Sequence, residues 1–334
     1  MNYSRAVLPK FIQQLDRHEP LSDGQIAVAV EQLIDAALPV ELKADFLTAL
    51  GRKGETPEEI YGFARQLRAR AVRPKLSAAT RARLSVDVCG TGGDRLNTFN
   101  ISTTASLILA AAGVTVAKHG NRAVTSQAGS ADVLEALGIP IELAPDVAAE
   151  WLERHHFAFF FAPLYHPAFK QIAPARKLCS ARGVRTIFNF LGPLLNPAEP
   201  NAQLIGVPRP ELCEPMAHVL RLLGLKRAIV VSGRVEQAHL DEFSTLGSNT
   251  VVELHHQTGL VKSEQAPTVF PVQPATLADL AGGDSHTNAA IVKNILTGTE
   301  RGPKRDAVLI NAAAGLFIAD QARTLEHGWN VAAE

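Results

Sequence analysis

An α/β fold is the class this sequence predicts: a mostly parallel central sheet flanked by helices, with a small all-helical N-terminal domain. Three observations carry that reading. The first 75 residues show helical periodicity and no strand pattern. From Leu84 onward, short apolar runs alternate with helical stretches, the pattern of a parallel α/β sheet. The chain has 334 residues, enough for about two domains.

Taken in order, Ser22-Asp23-Gly24 leads into an apolar-periodic run over 25–34, and Pro39 breaks it. Residues 41–50 form a second short amphipathic stretch. Thr56-Pro57-Glu58-Glu59 reads as a helix start, with Thr as N-cap, Pro at the first helical position and acids in the first turn. That helix continues over 60–71. Pro74 and the polar residues 77–83 read as a linker. The helical domain therefore spans 1–75, and a helical stretch over 167–182 is expected to rejoin it. The α/β domain spans 80–334. Its strands are expected at 85–89, 114–117, 157–162, 204–207, 228–232 and 307–310, with helices at 102–112 and 130–137. There is no internal repeat, and the two Gly-Gly-Asp triplets, 92–94 and 282–284, sit in dissimilar surroundings.

Composition excludes several classes. Apolar residues make up 46% of the chain, too many for a disordered one. Lys plus Arg number 33 and Asp plus Glu 33, so there is no basic excess to mark a nucleic-acid partner. Cys89, Cys179 and Cys213 lie far apart, without the spacing of a zinc site or a disulfide framework. The longest nearly apolar stretch, 105–117, falls short of the roughly 20 residues a membrane span requires. The expectation is a soluble, cytoplasmic protein with no membrane partner.

Four motifs carry chemistry. Gly90-Thr91-Gly92-Gly93-Asp94 follows a strand, and Thr98 to Thr104 then open a helix. Glycines let backbone N–H groups approach a ligand, and a helix N-terminus favours an anion such as phosphate. A tight turn with an ordinary N-cap has the same pattern. Lys118 to Ser130 follows the next strand as a polar loop; Lys118 and Arg122 bring charge, and Thr125, Ser126 and Ser130 bring hydroxyls. Two such loops side by side suit a ligand with more than one phosphate, whereas either alone reads equally as a solvated loop. Asp241-Glu242 would be a solvated surface pair in isolation. Facing a phosphate cradle, the pair suits magnesium, which is usually held by one or two carboxylates plus substrate phosphates. His166 lies in a loop after a strand, and Arg176, ten residues on, suits a bidentate grip on a carboxylate.

Together GTGGD (90–94), NTFNISTT (97–104), KHGNRAVTS (118–126), GSADVLEALG (129–138), FAPLYHP (161–167), RTIFNFLGPLLNP (185–197) and LDE (240–242) resemble the anthranilate phosphoribosyltransferase family of tryptophan biosynthesis. KGETPEEI (53–60) and LINAAAGLFIA (309–319) fit as well, so the resemblance runs in order over nearly the whole chain. It implies a homodimer with a hinge between helical and α/β domains. It implies transfer of phosphoribose from PRPP to the amine of anthranilate, releasing pyrophosphate. By the same resemblance PRPP is bound by Gly90, Gly93, Asp94, Thr98, Asn100, Ile101, Ser102, Thr103, Lys118, His119, Gly120, Asn121, Arg122, Ala123, Val124, Thr125, Ser126 and Ser130. Gly90, Asn121, His166 and Arg176 would contact anthranilate. Ser102 with Glu242 would hold one Mg2+, and Asp241 with Glu242 a second. The stretch between Arg176 and Gly183 departs from the family pattern by about three extra residues, and Gln127-Ala128 stands where a Lys-Ser pair is common.

Two other functions share the architecture. A sibling transferase or pyrimidine nucleoside phosphorylase-like enzyme would take a different aromatic acceptor, and a phosphorylase needs no acidic metal pair. A non-catalytic nucleic-acid-binding relative would lose GTGGD and the acidic pair and gain basic charge.

Overall fold

The computed structural model describes residues 7–123 and 127–334. The chain divides into two compact units, Met1–Val72 with Pro163–Leu195, and Arg73–Ala162 with Asn196–Glu334.

The smaller unit opens with four helices: α1 (Leu8–Asp16), α2 (Asp23–Ile34), α3 (Val40–Lys53) and α4 (Pro57–Arg68). Two starts are fixed by reciprocal capping. The Ser22 hydroxyl accepts from Gln25 N–H while Gln25 accepts from Ser22 N–H; Thr56 and Glu59 do the same for α4. Leu15, Val30, Leu33, Phe46, Leu50, Phe63 and Leu67 point from these helices into a shared interior.

The larger unit begins with α5 (Ala78–Ala82), β1 (Ser85–Gly90), α6 (Ile101–Ala111), β2 (Thr115–Gly120), α7 (Ser130–Ala136), α8 (Pro145–His155) and β3 (Phe157–Phe161). The chain returns to the smaller unit through α9 (Ala162–Tyr165), α10 (Ala173–Ala181) and α11 (Phe188–Leu194). There α10 packs on α3, and α11 on α4. β4 (Ala202–Gly206), α12 (Cys213–Leu222), β5 (Arg227–Val235), β6 (Ala238–Leu240), β7 (Asn249–His255), β8 (Gly259–Gln265), α13 (Ser285–Leu296), α14 (Pro303–Ile318) and α15 (Leu325–Ala333) complete the larger unit.

The sheet runs β3-β2-β1-β4-β5-β7-β8, with β6 paired to β5. The five strands from β3 to β5 are parallel; β7 and β8 continue antiparallel. The chain winds outward from β1 through β2 to β3, then jumps back across β1 to β4. The winding therefore reverses between β1 and β4, and open α/β sheets bind ligands outside the carboxyl ends of strands at such a reversal. Val86, Val88, Val116, Phe159, Leu204, Ile229 and Val231 fill the sheet's interior with Leu109 of α6 and Leu316 of α14.

Four expectations need correction. Residues 307–310 are not a strand but part of α14, which is buried nearly all round. Such a helix lacks the polar face that marks its period, so a short stretch of it reads like a core strand. Residues 77–83 hold the short helix α5, capped by the Ser77 hydroxyl accepting from Thr80 N–H, rather than a bare linker. Lys118, His119 and Gly120 end β2 instead of opening a polar loop. Within 167–182 the chain forms a 3-10 turn over Pro167–Gln171 before α10 begins. The strands β7 and β8 had no counterpart among the expected elements.

Candidate active site

Gly90 and Gly206 are register partners at the ends of β1 and β4, where the winding reverses. The β5–β6 hairpin brings Asp241-Glu242 back over them. A Cβ on Gly90 would lie 2.1 Å from Asp241 Oδ2, and one on Gly206 1.7 Å from the Asp241 carbonyl oxygen. Only glycine lets the acidic pair sit this close to the strand ends. Gly92 N–H donates to Asp241 Oδ2 at 2.6 Å, and Ser102 N–H donates to Glu242 Oε1 at 3.2 Å. The start of α6 is therefore aimed at Glu242, where its positive dipole end meets the negative charge. From behind, Asn311 of α14 grips the backbone beyond the pair: its Oδ1 accepts from Phe243 N–H at 3.0 Å and its Nδ2 donates to Phe243 O at 3.1 Å.

The acidic pair is electrostatically strained. Burial raises Asp241 well above the ordinary carboxylate value, helped by the charges of Asp94 and Glu242. Burial likewise pushes Glu242 up to about 7, with Lys118 and a hydrogen bond from Ser102 pulling the other way. Three crowded carboxylates and a serine hydroxyl facing a helix N-terminus form a donor set for a hard cation. Among the described residues no three His, Cys, Asp or Glu side chains close around a metal by themselves. An open arrangement of this kind suits magnesium, which takes its remaining ligands from water and phosphate.

The first loop supplies backbone donors. Gly92 and Gly93 adopt φ of 80° and 91°, the left-handed region that favours glycine. Asn100 occupies the cap position of α6, and its side chain caps no amide there; in the first turn Ile101 N–H donates to Phe99 O at 2.8 Å and Ser102 N–H is taken by Glu242.

Beneath the loops lies a buried polar layer. Lys118 is 2% exposed, and its Nζ donates to Val88 O at 2.7 Å. Asp87, fully buried, accepts from Asn196 Nδ2 at 2.9 Å and from His119 N–H at 3.4 Å. Burial pushes Asp87 up to about 6, against the pull of Lys118 and Asn196.

The second loop is clasped at both ends by one carboxylate. Asp132 Oδ2 accepts from Ala123 N–H and from Gly129 N–H, each at 2.9 Å. Arg122 turns to the acids of α7, reaching Asp132 at 3.0 Å and Glu135 at 2.8 Å, and stacks over the Phe161 ring. Ser130 Oγ donates to Asn121 O at 3.4 Å, and a Cβ on Gly120 would stand 2.3 Å from that hydroxyl. Val124, Thr125 and Ser126 lie outside the described residues.

His166 and Arg176 belong to the smaller unit, while Gly90 and Asn121 belong to the larger. His166 is 4% exposed and packs edge-on against Phe169; Phe169 meets Phe188 edge-on, and the Arg176 guanidinium lies 5.1 Å over the Phe188 ring. Burial lowers the His166 imidazole to about 4, so it is neutral near pH 7. The extra residues after Arg176 are taken up as helix: α10 runs to Ala181, Cys179 Sγ donates to Ala44 O at 3.4 Å, and Arg182 pairs with Asp45 at 2.7 Å.

Within the larger unit the structure thus brings together the first loop, Ser102 and the acidic pair, with Lys118 in the buried layer beneath them. Asn311 and Asp132, which shape the site, went unrecognised in the sequence as individual residues, although both lie inside the family-like stretches 309–319 and 129–138.

Comparison with known proteins shows the family. Residues 82–334 match the glycosyl transferase family a/b domain, and residues 9–71 its helical bundle domain. The anthranilate phosphoribosyltransferase of Moorella thermoacetica is 48% identical over 309 residues, covering 92% of this chain and 87% of that protein. That of Roseiflexus castenholzii is 45% identical over 317 residues, covering 95% and 90%. Among solved structures, anthranilate phosphoribosyltransferase from Thermus thermophilus is 39% identical with a TM-score of 0.86, covering 97% of this chain and 93% of that one. The Saccharomyces cerevisiae enzyme in complex with PRPP and Mg is 26% identical with a TM-score of 0.87, covering 100% and 94%.

Proposed function

The chain belongs to the anthranilate phosphoribosyltransferase family, and we infer from its site that it transfers phosphoribose from PRPP to the amine of anthranilate in tryptophan biosynthesis. The observation that carries this reading is the acidic pair seated over Gly90 and Gly206 beside the α6 N-terminus. The first loop and the acidic pair offer backbone donors for phosphate and carboxylates for a cation, as a pyrophosphate leaving group requires.

In the reaction the bond from ribose C1 to pyrophosphate breaks, the anthranilate nitrogen bonds to C1, and the amine proton passes to solvent. Bound magnesium neutralises charge that builds on the departing pyrophosphate. Ser102 with Glu242 would hold one ion, and Asp241 with Glu242 a second. Gly90, Gly93 and Asp94 of the first loop, with Thr98, Asn100, Ile101, Ser102 and Thr103, orient PRPP. Lys118, His119 and Gly120 at the end of β2, the second loop from Asn121 to Ser126, and Ser130 complete its binding. The family resemblance assigns anthranilate contacts to Gly90 and Asn121 of the larger unit and to His166 and Arg176 of the smaller, with Arg176 on the carboxylate. The aromatic amine is already neutral near pH 7, so no strong base is needed before attack. Catalysis is mainly positioning and charge neutralisation. No helix among the described residues is long and apolar enough to cross a membrane. A cytoplasmic homodimer fits the family resemblance, and light scattering at about twice 35.8 kDa would support the dimer.

Loss of anthranilate fluorescence tests the reaction. The expected loss requires protein, PRPP and magnesium together. Loss without PRPP, or none with all three present, would overturn it.

A further inference from the structure

The second Gly-Gly-Asp triplet, 282–284, plays no part in the reading above, yet it lies against the phosphate loop. Phe99 N–H donates to Leu280 O at 3.1 Å, Gly282 N–H donates to Asn97 O at 3.0 Å, and Thr98 pairs with Ala281 as an antiparallel bridge. A Cβ on Gly282 would stand 2.8 Å from Phe99 Cα. Asp284 then caps α13, its Oδ1 accepting from Thr287 N–H at 2.8 Å. The first turn of α13 carries Asn288 toward the loop, 2% exposed.

Asn288 heads a directional chain. Its Oδ1 accepts from Gly283 N–H at 2.8 Å, and its Nδ2 donates to Asn100 Oδ1 at 2.9 Å. Asn100 Nδ2 donates in turn to Ala128 O, at the far end of the second loop, at 3.3 Å. A backbone N–H can only donate, so Gly283 fixes which way the Asn288 amide faces. That orientation sets the Asn100 amide, and Asn100 joins the two loops.

We propose that Asn288 is a positioning residue for PRPP, acting through Asn100 to fix the first phosphate loop and hold the end of the second against it. This rests on the transferase reading, which the wild-type assay tests separately. The variants are N288A, N288D, N100A and N100A/N288A, each assayed for KM and kcat at saturating magnesium. N288D keeps the side-chain volume and the acceptor for Gly283 but cannot donate to Asn100. In an active enzyme, N288A and N288D each raise the KM for PRPP about tenfold and change the KM for anthranilate less than about twofold. On the N100A background, N288A adds less than about twofold, because the interaction it removes is already gone. Additive effects of N100A and N288A would overturn the proposal. So would an unchanged KM for PRPP in N288D with its thermal unfolding intact, and this second result decides the matter if N288A fails to fold.

Discussion

Two side chains concentrate the account at the residue scale. Gly90 has no space for a methyl group, which would press on the Asp241 carboxylate. Gly90→Ala is expected to displace the acidic pair and cut turnover about 100-fold or more while far-UV circular dichroism is retained, since misplacement by about 1 Å can cost that much. His166 gives a pH signature. Its folded value of about 4 lies below the ordinary 6.5 because burial disfavours the imidazolium. The unfolded chain protonates first as pH falls, so the stabilising contribution is full above pH 6.5 and fades toward pH 4. Relative to His166→Asn, wild-type stability in urea denaturation should drop by on the order of 3 kcal/mol between pH 7 and pH 4; parallel curves would contradict the burial argument. Asp87 works with the opposite sign, its raised value favouring the fold as pH falls through about 6, so the comparison of the two proteins is the informative quantity. Legibility at this scale followed local chemistry. Gly90 to Asp94 stood out because three glycines in four positions between a strand and a helix suit either a tight turn or close approach of a ligand. Lys118 misled, because a charged residue reads as solvent-facing, whereas here a strand carbonyl satisfies it from within the sheet.

Elements were legible where a local signal set their ends. Thr56-Pro57-Glu58-Glu59 announced α4, and the structure shows why the start is firm. Buried Glu59 accepts from Thr56 N–H and Leu21 N–H, each at 2.9 Å, and pairs with Lys53 at 2.6 Å. Glu59→Ala should destabilise the protein by on the order of 3 kcal/mol, since it strands a buried ammonium and two amides. Thr56→Ala removes one cap and should cost about 1 kcal/mol. Chemical denaturation of both variants gives the order; equal losses would mean that the buried pair contributes nothing beyond the cap. Buried and edge elements were harder to read. α14 carries apolar residues on every side, so Ala307–Ile310 looked like a strand. β8 is largely exposed and polar in composition; its identity comes from pairing with β7, a long-range relation that no local pattern encodes.

For the whole molecule, the order of the strands matters more than any motif. Gly90 and Gly206 are 116 residues apart in sequence, yet the winding reversal makes them register partners, and the hairpin after β5 carries Asp241-Glu242 onto both. Gly90 and the acidic pair could be picked out along the chain; Gly206 could not, and the convergence of the three depends on topology. On the function proposed above, this convergence builds a magnesium–phosphate site. A magnesium titration of turnover, in wild type and Glu242→Gln, tests it most directly. In the variant, turnover is expected to fall about 100-fold or more, with half-saturation moved to higher magnesium. An unchanged magnesium titration in Glu242→Gln would contradict it.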